Sequence, residues 1–194
     1  MNEFDNAIAL TGGISTGKST VCNLLKLHGF FIIDADKIAH QVLNQNSHKI
    51  SEIFGEEFVD NGVVNRKKLG TLVFGNPSAK ASLQELVHPL IKAEIKEQAK
   101  LCEEKKMPYI VDIPLFFETR NYPIEKCVVV YCSPEIQLER LMKRDNISKD
   151  EAVIKISNQM DIEQKKSLAK YVIDNSKDIK ALQKQVEKFI KEVQ

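Results

Sequence analysis

A glycine-rich stretch near the start of the chain constrains the fold more than any other segment. Residues 12–20 are Gly-Gly-Ile-Ser-Thr-Gly-Lys-Ser-Thr, which fits the P-loop pattern G-x-x-x-x-G-K-[ST]. Its glycines allow a sharp turn, so that backbone N–H groups and the positive end of the next helix can bind phosphate oxygens. Lys18 adds a charge for the outer phosphates, and the Ser19 hydroxyl can ligate Mg²⁺. The predicted phosphate-binding residues are Gly13, Ile14, Ser15, Thr16, Gly17, Lys18, Ser19 and Thr20.

The residues on either side of this stretch have the pattern that a P-loop requires. Residues 7–11 form an apolar run that predicts a buried strand, and residues 19–28 carry apolar side chains at helical spacing. Gly29 follows as a helix stop. A dinucleotide-binding loop needs G-x-G-x-x-G, which glycines at 12, 13 and 17 do not provide.

The composition excludes several classes of protein. The chain has 194 residues, 43% of them hydrophobic and 28% charged, and a formal net charge of +1. We therefore expect one globular domain without a strong field for nucleic acid or membrane. The first residues do not resemble a signal peptide, no apolar run could span a membrane, and the four cysteines form no C-x-x-C pair. A cytoplasmic protein with reduced cysteines is expected, with neither nucleic acid nor membrane as a partner.

Five short apolar runs alternate with helical patterns along the chain. They cover residues 7–11, 30–33, 109–112, 127–133 and 171–175. This alternation predicts an α/β fold, a five-stranded parallel sheet with helices on both faces. Between the second and third runs, residues 37–104 predict helices only, and Pro89 is a candidate kink in the last of them.

Two of the predicted strands end in acidic residues. The second is followed by Asp34-Ala35-Asp36, and the third ends at Asp112. Ligands in open α/β sheets bind beyond the carboxyl ends of the strands, so we expect these carboxylates near the phosphate site. Asp36 either orients the hydroxyl of a phosphoryl acceptor or caps the helix over residues 37–44, and its position leaves both open. Asp112 resembles a Walker B aspartate, which holds Mg²⁺ through water.

Paired arginines mark a candidate lid. Residues 134–160 predict two helices joined by a short turn, with Arg140 and Arg144 on one face and a capping box at Ser148 and Glu151. Arginine over a transferring phosphoryl group would stabilise its charge; the alternative is a solvated charged face. Asn175, at the polar end of the fifth strand, is expected to approach the nucleotide base.

Other polar and aromatic residues are ambiguous by pattern alone. Arg66 either binds a phosphate or is a solvated surface residue. His88 has no second metal-ligating residue at useful spacing, so the pattern predicts a packing role for it. Leu115 and Phe116 line a cleft or belong to the core.

An ordered set of motifs runs along nearly the whole chain. Its segments are residues 10–14 with 17–20, Asp34-Ala35-Asp36, Phe54-Gly55, Asn65-Arg66, His88-Pro89-Leu90-Ile91, Pro114-Leu115-Phe116-Phe117-Glu118, Arg140, Arg144-Asp145, Gln159 and Val172-Ile173-Asp174-Asn175. The P-loop alone is shared with many families, but this ordered set is specific. In these motifs the sequence resembles the dephospho-CoA kinase family along nearly its whole length.

This resemblance implies an activity and a division of the chain. ATP, with Mg²⁺, would phosphorylate the ribose 3′-hydroxyl of dephospho-CoA, giving coenzyme A and ADP. The P-loop kinase core would comprise residues 1–36, 105–135 and 168–194, with a helical acceptor-binding insert at 37–104 and a helical lid at 136–167. ATP and dephospho-CoA are the expected partners of a monomer or weak homo-oligomer.

The resemblance also implies roles for individual residues. Asp36, Lys18 and Arg140 would be catalytic, and Arg144 and Asn175 would join the phosphate loop in binding ATP. Ser19 and Asp112 would hold the metal. The implied acceptor-binding residues are Asp34, Asp36, His40, Arg66, His88, Leu115 and Phe116.

Three positions depart from the common family pattern. His40 stands where many members carry Arg, residues 44–47 replace a Pro-Gly turn, and Lys170-Tyr171 replaces an acid. The first could weaken a contact to acceptor phosphate, because a neutral histidine cannot bind two oxygens as arginine does.

Two other classes of P-loop protein are alternatives to a kinase of this family. A kinase for another small acceptor would share the P-loop but not the full set of motifs. A GTPase-like switch would read guanine with Asn-Lys-x-Asp, and residues 158–161, Asn-Gln-Met-Asp, lack the lysine.

Overall fold

The chain forms two compact units, seen in a computed structural model that describes residues 4–194. The first unit contains the described residues up to Ile33 together with Ala99–Gln194, and the second is Asp34–Gln98. The second unit covers most of the predicted insert at 37–104.

A five-stranded sheet organises the first unit. The strands of the molecule are β1 (Ala7–Gly12), β2 (Ile32–Asp34), β3 (Val59–Asp60), β4 (Val63–Val64), β5 (Tyr109–Asp112), β6 (Lys126–Tyr131) and β7 (Tyr171–Asp174). The strand order of the five-stranded sheet is β2-β5-β1-β6-β7, and β1 pairs in parallel with both β5 and β6, as β6 does with β7. The predicted fold class is therefore confirmed.

Helices connect the strands in the order that the sequence predicts, with two additions, at residues 116–119 and 162–168. They are α1 (Lys18–Leu27), α2 (Ala35–Gln45), α3 (Ser47–Phe54), α4 (Arg66–Gly75), α5 (Pro77–Glu104), α6 (Phe116–Thr119), α7 (Pro134–Asp145), α8 (Lys149–Ser157), α9 (Ile162–Leu168) and α10 (Ile179–Val193). The predicted helix up to about Met160 ends at Ser157 instead, and α6 and α9 were missed. Pro89 lies inside α5 without dividing it.

The main core lies where α1 and α10 pack on one face of the sheet. Alternate strand residues form this layer, including Ile8, Leu10, Val128 and Val130, all 0–1% exposed. Their neighbours Ala9 and Val129 are equally buried, because the opposite face of the sheet is also covered.

The second unit has a core of its own around Ile50, Val64 and Leu69. The prediction of helices only for this region is wrong, because β3 and β4 form a small antiparallel hairpin. Asn61 and Gly62 connect the strands with φ of 49° and 79°, the left-handed pair typical of a tight hairpin turn. Strands of two residues are too short to produce a visible alternation in sequence.

The start of α2 removes the alternative role of Asp36 as a helix cap. The helix begins at Ala35, and its N-cap is Asp34, whose carboxylate accepts a hydrogen bond from the Lys37 N–H at 2.9 Å. Asp36 instead lies within the first helical turn.

Candidate active site

The phosphate loop leaves the C-terminal end of β1, the central strand of the sheet. Helix α1 begins immediately afterwards at Lys18, with Gly17 as its N-cap at φ 90° and ψ 22°. This left-handed conformation favours glycine, and a Cβ on Gly17 would overlap Asn175 Nδ2. The N-terminal amides of α1 therefore open onto the loop without a capping side chain, as anion binding requires.

A cavity of about 410 Å³ lies over this loop. Ser15 lines it with φ 61°, and among residues 4–194 its Oγ is the buried side-chain oxygen without a hydrogen-bond partner. A polar ligand would satisfy that hydroxyl. The lining residues are Gly12, Gly13, Ile14, Ser15, Gly17, Lys18, Ser19, Thr20, Pro114, Arg140, Arg144 and Gln159.

Lys18 pairs with the carboxylate at the end of β5. Its Nζ donates to Asp112 Oδ1 at 2.5 Å, and the two side chains are 20% and 12% exposed. On the other side, the Cys22 thiol donates to Asp112 Oδ2 at 3.5 Å. Burial, followed by the negative charge of Asp112, raises the pKa of Cys22 to about 12, so this thiol stays protonated near neutral pH.

Two glutamines hold the peptide groups of Ile14 from both sides. Gln137 Nε2 donates to Ile14 O at 2.9 Å, and Ile14 N donates to Gln159 Oε1 at 2.8 Å. Gln137 is 2% exposed and lies so close that a Cβ on Gly13 would overlap its Nε2. Gly13 is therefore needed for close packing rather than for an unusual φ.

Asn175 supports the loop from behind. Its Nδ2 donates to Thr16 O at 2.8 Å, and its side chain is buried. The Thr16 hydroxyl donates to Gly13 O at 2.9 Å. Neither residue is among the described side chains that line the cavity, although both were predicted in the ATP site. Their hydrogen bonds stabilise the conformation of the loop.

The two predicted arginines of α7 both line the cavity, but they are held differently. Arg144 donates to Asp145 at 2.8 Å, and Asp145 also accepts from Lys155 at 2.8 Å. Hydrogen bonds from these two cations lower the pKa of Asp145 to about 2. Arg140 lies one turn earlier and contacts Cys132. Burial raises the pKa of the Cys132 thiol, and the charge of Arg140 opposes this rise with a smaller effect.

A fully buried lysine lies beneath the loop. Lys165 of α9 is 0% exposed, and its Nζ donates to Gly12 O at 3.0 Å and to Pro114 O at 3.3 Å. It also pairs with Glu118 Oε1 at 2.7 Å. The ammonium group thus has three acceptors, which matches its three N–H donors.

The predicted acceptor-binding residues fall into both units. Leu115 and Phe116 belong to the first, after β5 and at the start of α6, where Phe116 packs edge-on against Phe117. Burial lowers the pKa of His88 in α5, which favours its neutral form. The second unit holds Asp34, Asp36, His40, Arg66 and His88, and of these only His88 is half-buried, the others being exposed.

Comparison with known proteins identifies the family. A sequence model of the dephospho-CoA kinase family matches residues 6–181. The chain belongs to the dephospho-CoA kinase family. A dephospho-CoA kinase of Sulfurimonas denitrificans is 50% identical over 190 residues, which cover 98% of this chain and 95% of that one. The corresponding protein of Helicobacter pylori is 46% identical over 189 residues, with 96% of each chain covered.

A solved structure supports the same conclusion. The dephospho-CoA kinase from Campylobacter jejuni matches with a TM-score of 0.76 and 35% identity, covering 97% of this chain and 96% of that one. As a dephospho-CoA kinase, the chain is a phosphotransferase that acts on an alcohol group and takes ATP and dephospho-CoA as substrates. Within residues 4–194, no helix combines the length and the apolar character that crossing a membrane requires.

Three residues of this dephospho-CoA kinase site were missed or left without a role. Gln137 precedes the buried Leu141 by one helical turn, so it lies on the inward face of α7. A polar residue on that face is a signal in the sequence that it needs a buried hydrogen-bond partner. Lys165 follows the buried Ile162 by three positions in the same way. Gln159 belongs to the family motifs, but nothing in the sequence around it indicates that it accepts a hydrogen bond from Ile14 N.

Proposed function

We propose that this kinase transfers the γ-phosphoryl group of ATP to the ribose 3′-hydroxyl of dephospho-CoA, giving coenzyme A and ADP. The observation that carries the proposal is a complete phosphate loop under a cavity lined by Lys18, Arg140 and Arg144, in a chain of the dephospho-CoA kinase family. The chemistry is in-line displacement, in which the protein positions two substrates and stabilises charge.

On the ATP side, the loop residues 13–20 bind the β- and γ-phosphates through backbone amides and the positive end of α1. Lys18 supplies a point charge and Arg140 a planar guanidinium that stabilises the charge of the transferring group. Arg144 adds a second guanidinium, while Thr16 and Asn175 act through the shape of the loop. The unpartnered Ser15 hydroxyl is consistent with a polar ligand in this cavity.

The side-chain oxygens of Ser19 and Asp112 are ligands that suit Mg²⁺. This ion keeps several waters and binds one or two protein oxygens together with substrate phosphates, so a dedicated cage of acidic side chains is not needed. Ser19 lines the cavity, and Asp112 lies at the end of β5 beside Lys18. Ser19 would hold the ion directly and Asp112 through water. When bound, Mg²⁺ neutralises negative charge on the phosphate oxygens.

On the acceptor side, Asp36 orients the ribose hydroxyl and accepts its proton. Its position in the first turn of α2, with Asp34 as the cap, leaves its carboxylate without a capping role. Asp34, His40, Arg66 and His88 form the rest of the acceptor set in the second unit. Leu115 and Phe116 contribute an apolar surface from the first unit.

We further propose that residues 136–167 act as the lid and that closure excludes water, which would otherwise compete as phosphoryl acceptor. In this scheme α7 carries both arginines, α8 follows it, and α9 anchors the lid. The core (1–36, 105–135 and 168–194) and the acceptor-binding insert (37–104) complete the enzyme, which works in the cytoplasm as a monomer or weak homo-oligomer.

The deciding experiment measures ADP release from Mg-ATP with and without dephospho-CoA, alongside a panel of nucleosides and nucleoside monophosphates. We expect stimulation by dephospho-CoA alone, with coenzyme A formed and its 3′-phosphate located by NMR. Turnover with another acceptor instead would mean that the second unit serves a different substrate. Replacing ATP by GTP in the same assay excludes a GTPase-like switch if GTP supports little turnover.

A further inference from the structure

We propose that Lys165 is a positioning residue for the phosphate loop: from below, it fixes the carbonyl at which β1 turns into the loop. This inference rests on the proposed use of that loop to bind ATP, and it concerns a residue outside the predicted site.

The environment of Lys165 is unusual for a lysine. The side chain is 0% exposed, although lysine is among the residues least often fully buried. Burying an ammonium group is costly unless it is paired and hydrogen-bonded. Here Glu118 Oε1 at 2.7 Å supplies the counter-charge, and Gly12 O at 3.0 Å and Pro114 O at 3.3 Å accept the remaining hydrogens.

Two of the three acceptors belong to residues that line the cavity. Gly12 is the last residue of β1 and Pro114 follows β5, and both line the cavity. Pro114 O also accepts from the Thr11 hydroxyl at 2.8 Å. One cation thus ties the start of the phosphate loop to the segment that follows Asp112.

Glu118 completes the arrangement from the other side. Besides Lys165, its Oε1 accepts the Met160 N–H at 3.0 Å, just before α9 begins. The pair therefore joins α6, α9 and the loop. Lys165 thus has one contact that stabilises the fold, its ion pair with Glu118, and one contact to the loop, its hydrogen bond to the Gly12 carbonyl. Loss of Lys165 therefore has two consequences that can be measured separately.

The first consequence concerns folding stability. Lys165→Met strands the Glu118 carboxylate without its cation, and breaking one half of a buried ion pair is strongly destabilising. Adding Glu118→Gln removes that stranded charge while keeping an oxygen for the Met160 N–H. The double variant should therefore recover much of the thermal stability lost by the single one.

The second consequence concerns nucleotide binding. Both K165M and K165M/E118Q leave Gly12 O without its donor, so the loop amides lose their fixed geometry in each. A misplacement of about 1 Å can cost roughly 100-fold in rate, so we expect kcat/KM for ATP to fall about 10–100-fold in both variants. The KM for dephospho-CoA should stay within about twofold, because a displaced carbonyl in the loop acts on the ATP side.

The test measures Tm, kcat/KM for ATP, KM for dephospho-CoA and the Kd of Mg-ADP in wild type, K165M, K165M/E118Q, E118Q and the control K166M. Lys166 is the neighbouring lysine of α9, 42% exposed and paired with Glu163 at 3.7 Å, so its loss should leave ADP affinity unchanged. The expected result is a double variant with a recovered Tm and weak ADP binding.

The double variant could instead recover kcat/KM and ADP affinity together with Tm. That result would mean that Lys165 contributes only to folding stability, and it would overturn the proposal. If K165M does not fold, the same decision is made on K165M/E118Q alone, by comparing its ADP affinity with that of E118Q. The ADP measurement does not depend on the acceptor, so failure of wild type to phosphorylate dephospho-CoA would not be confused with failure of this inference.

Discussion

Lys18 Nζ and Asp112 Oδ1 lie 2.5 Å apart, which pairs the cation of the phosphate loop with the carboxylate at the end of β5. Both side chains are mostly buried, where charges interact more strongly than in water. Asp112 therefore determines where the ammonium group of Lys18 rests, in addition to the metal role proposed for it.

Removing the charge of Asp112 should impair catalysis. Asp112→Asn weakens the hold on both Lys18 and the water shell of Mg²⁺, and loss of such an indirect metal contact typically costs about 10–100-fold. We expect kcat to fall by that factor and the Mg²⁺ concentration for half-maximal rate to rise, measured by ADP release across a Mg²⁺ titration. An unchanged Mg²⁺ midpoint would remove Asp112 from the metal site.

The two arginines of α7 should differ in their effect. Arg140→Met removes a donor for the transferring phosphoryl group and should lower kcat about 10²–10³-fold. Arg144 is held by Asp145, so Arg144→Met should raise the KM for ATP more than it lowers kcat. Steady-state kinetics with ATP varied separates the two, and equal losses of kcat would show that the arginines share one role.

Removing the carboxylate of Asp34 and removing that of Asp36 should have different effects. Asp36→Asn should lower kcat about 10²–10⁴-fold while ADP affinity is retained, because it removes the proton acceptor. Asp34→Ala removes the cap of α2 and should cost about 1 kcal/mol of stability. The measurements are kcat, ADP affinity and chemical denaturation; a small loss of kcat in D36N would reject Asp36 as the base.

Packing around Gly13 provides a test of the loop's support. Gly13→Ala forces a Cβ against Gln137 Nε2, and such overpacking typically costs about 1–3 kcal/mol. The variant should lose stability and ATP affinity together, because Gln137 must release Ile14 O. Adding Gln137→Ala makes room for the new methyl group, so the double variant should be more stable than the sum of the single effects predicts. Strict additivity would mean that the two residues do not compete for space.

The buried thiol of Cys127 predicts how stability depends on pH. Burial raises its pKa from 9.0 to about 12, against a smaller opposite effect of Lys165. Above about pH 9 the unfolded chain loses this proton and the native state keeps it, so the stability it contributes is complete below that pH and declines toward pH 12. The slope from this group is at most about 1.4 kcal/mol per pH unit.

Cys127→Ala should therefore flatten the loss of stability between about pH 8 and about pH 10.5, measured by urea unfolding. The matched control is Cys102→Ala, since Cys102 is only half-buried and should produce a smaller change. An equal change in both variants would assign the alkaline loss to other groups.

Much of the fold followed from local patterns. The strand before Gly12, the helix after Gly17 and the capping box at Ser148 depend on residues close to one another in the chain, and all three were predicted. The hairpin at 59–64 and helix α9 were missed because two-residue strands and a seven-residue helix are too short to show a period.

The sequence alone was enough to predict the phosphate loop, because its glycines, Lys18 and Ser19 lie within a few positions of one another. It was not enough for the residues that hold the loop in place. Gln137, Gln159 and Lys165 reach Ile14 and Gly12 across 123 to 153 positions. A polar residue on an inward helix face shows that it needs a partner, but only the sheet order β2-β5-β1-β6-β7 brings that partner within hydrogen-bond distance.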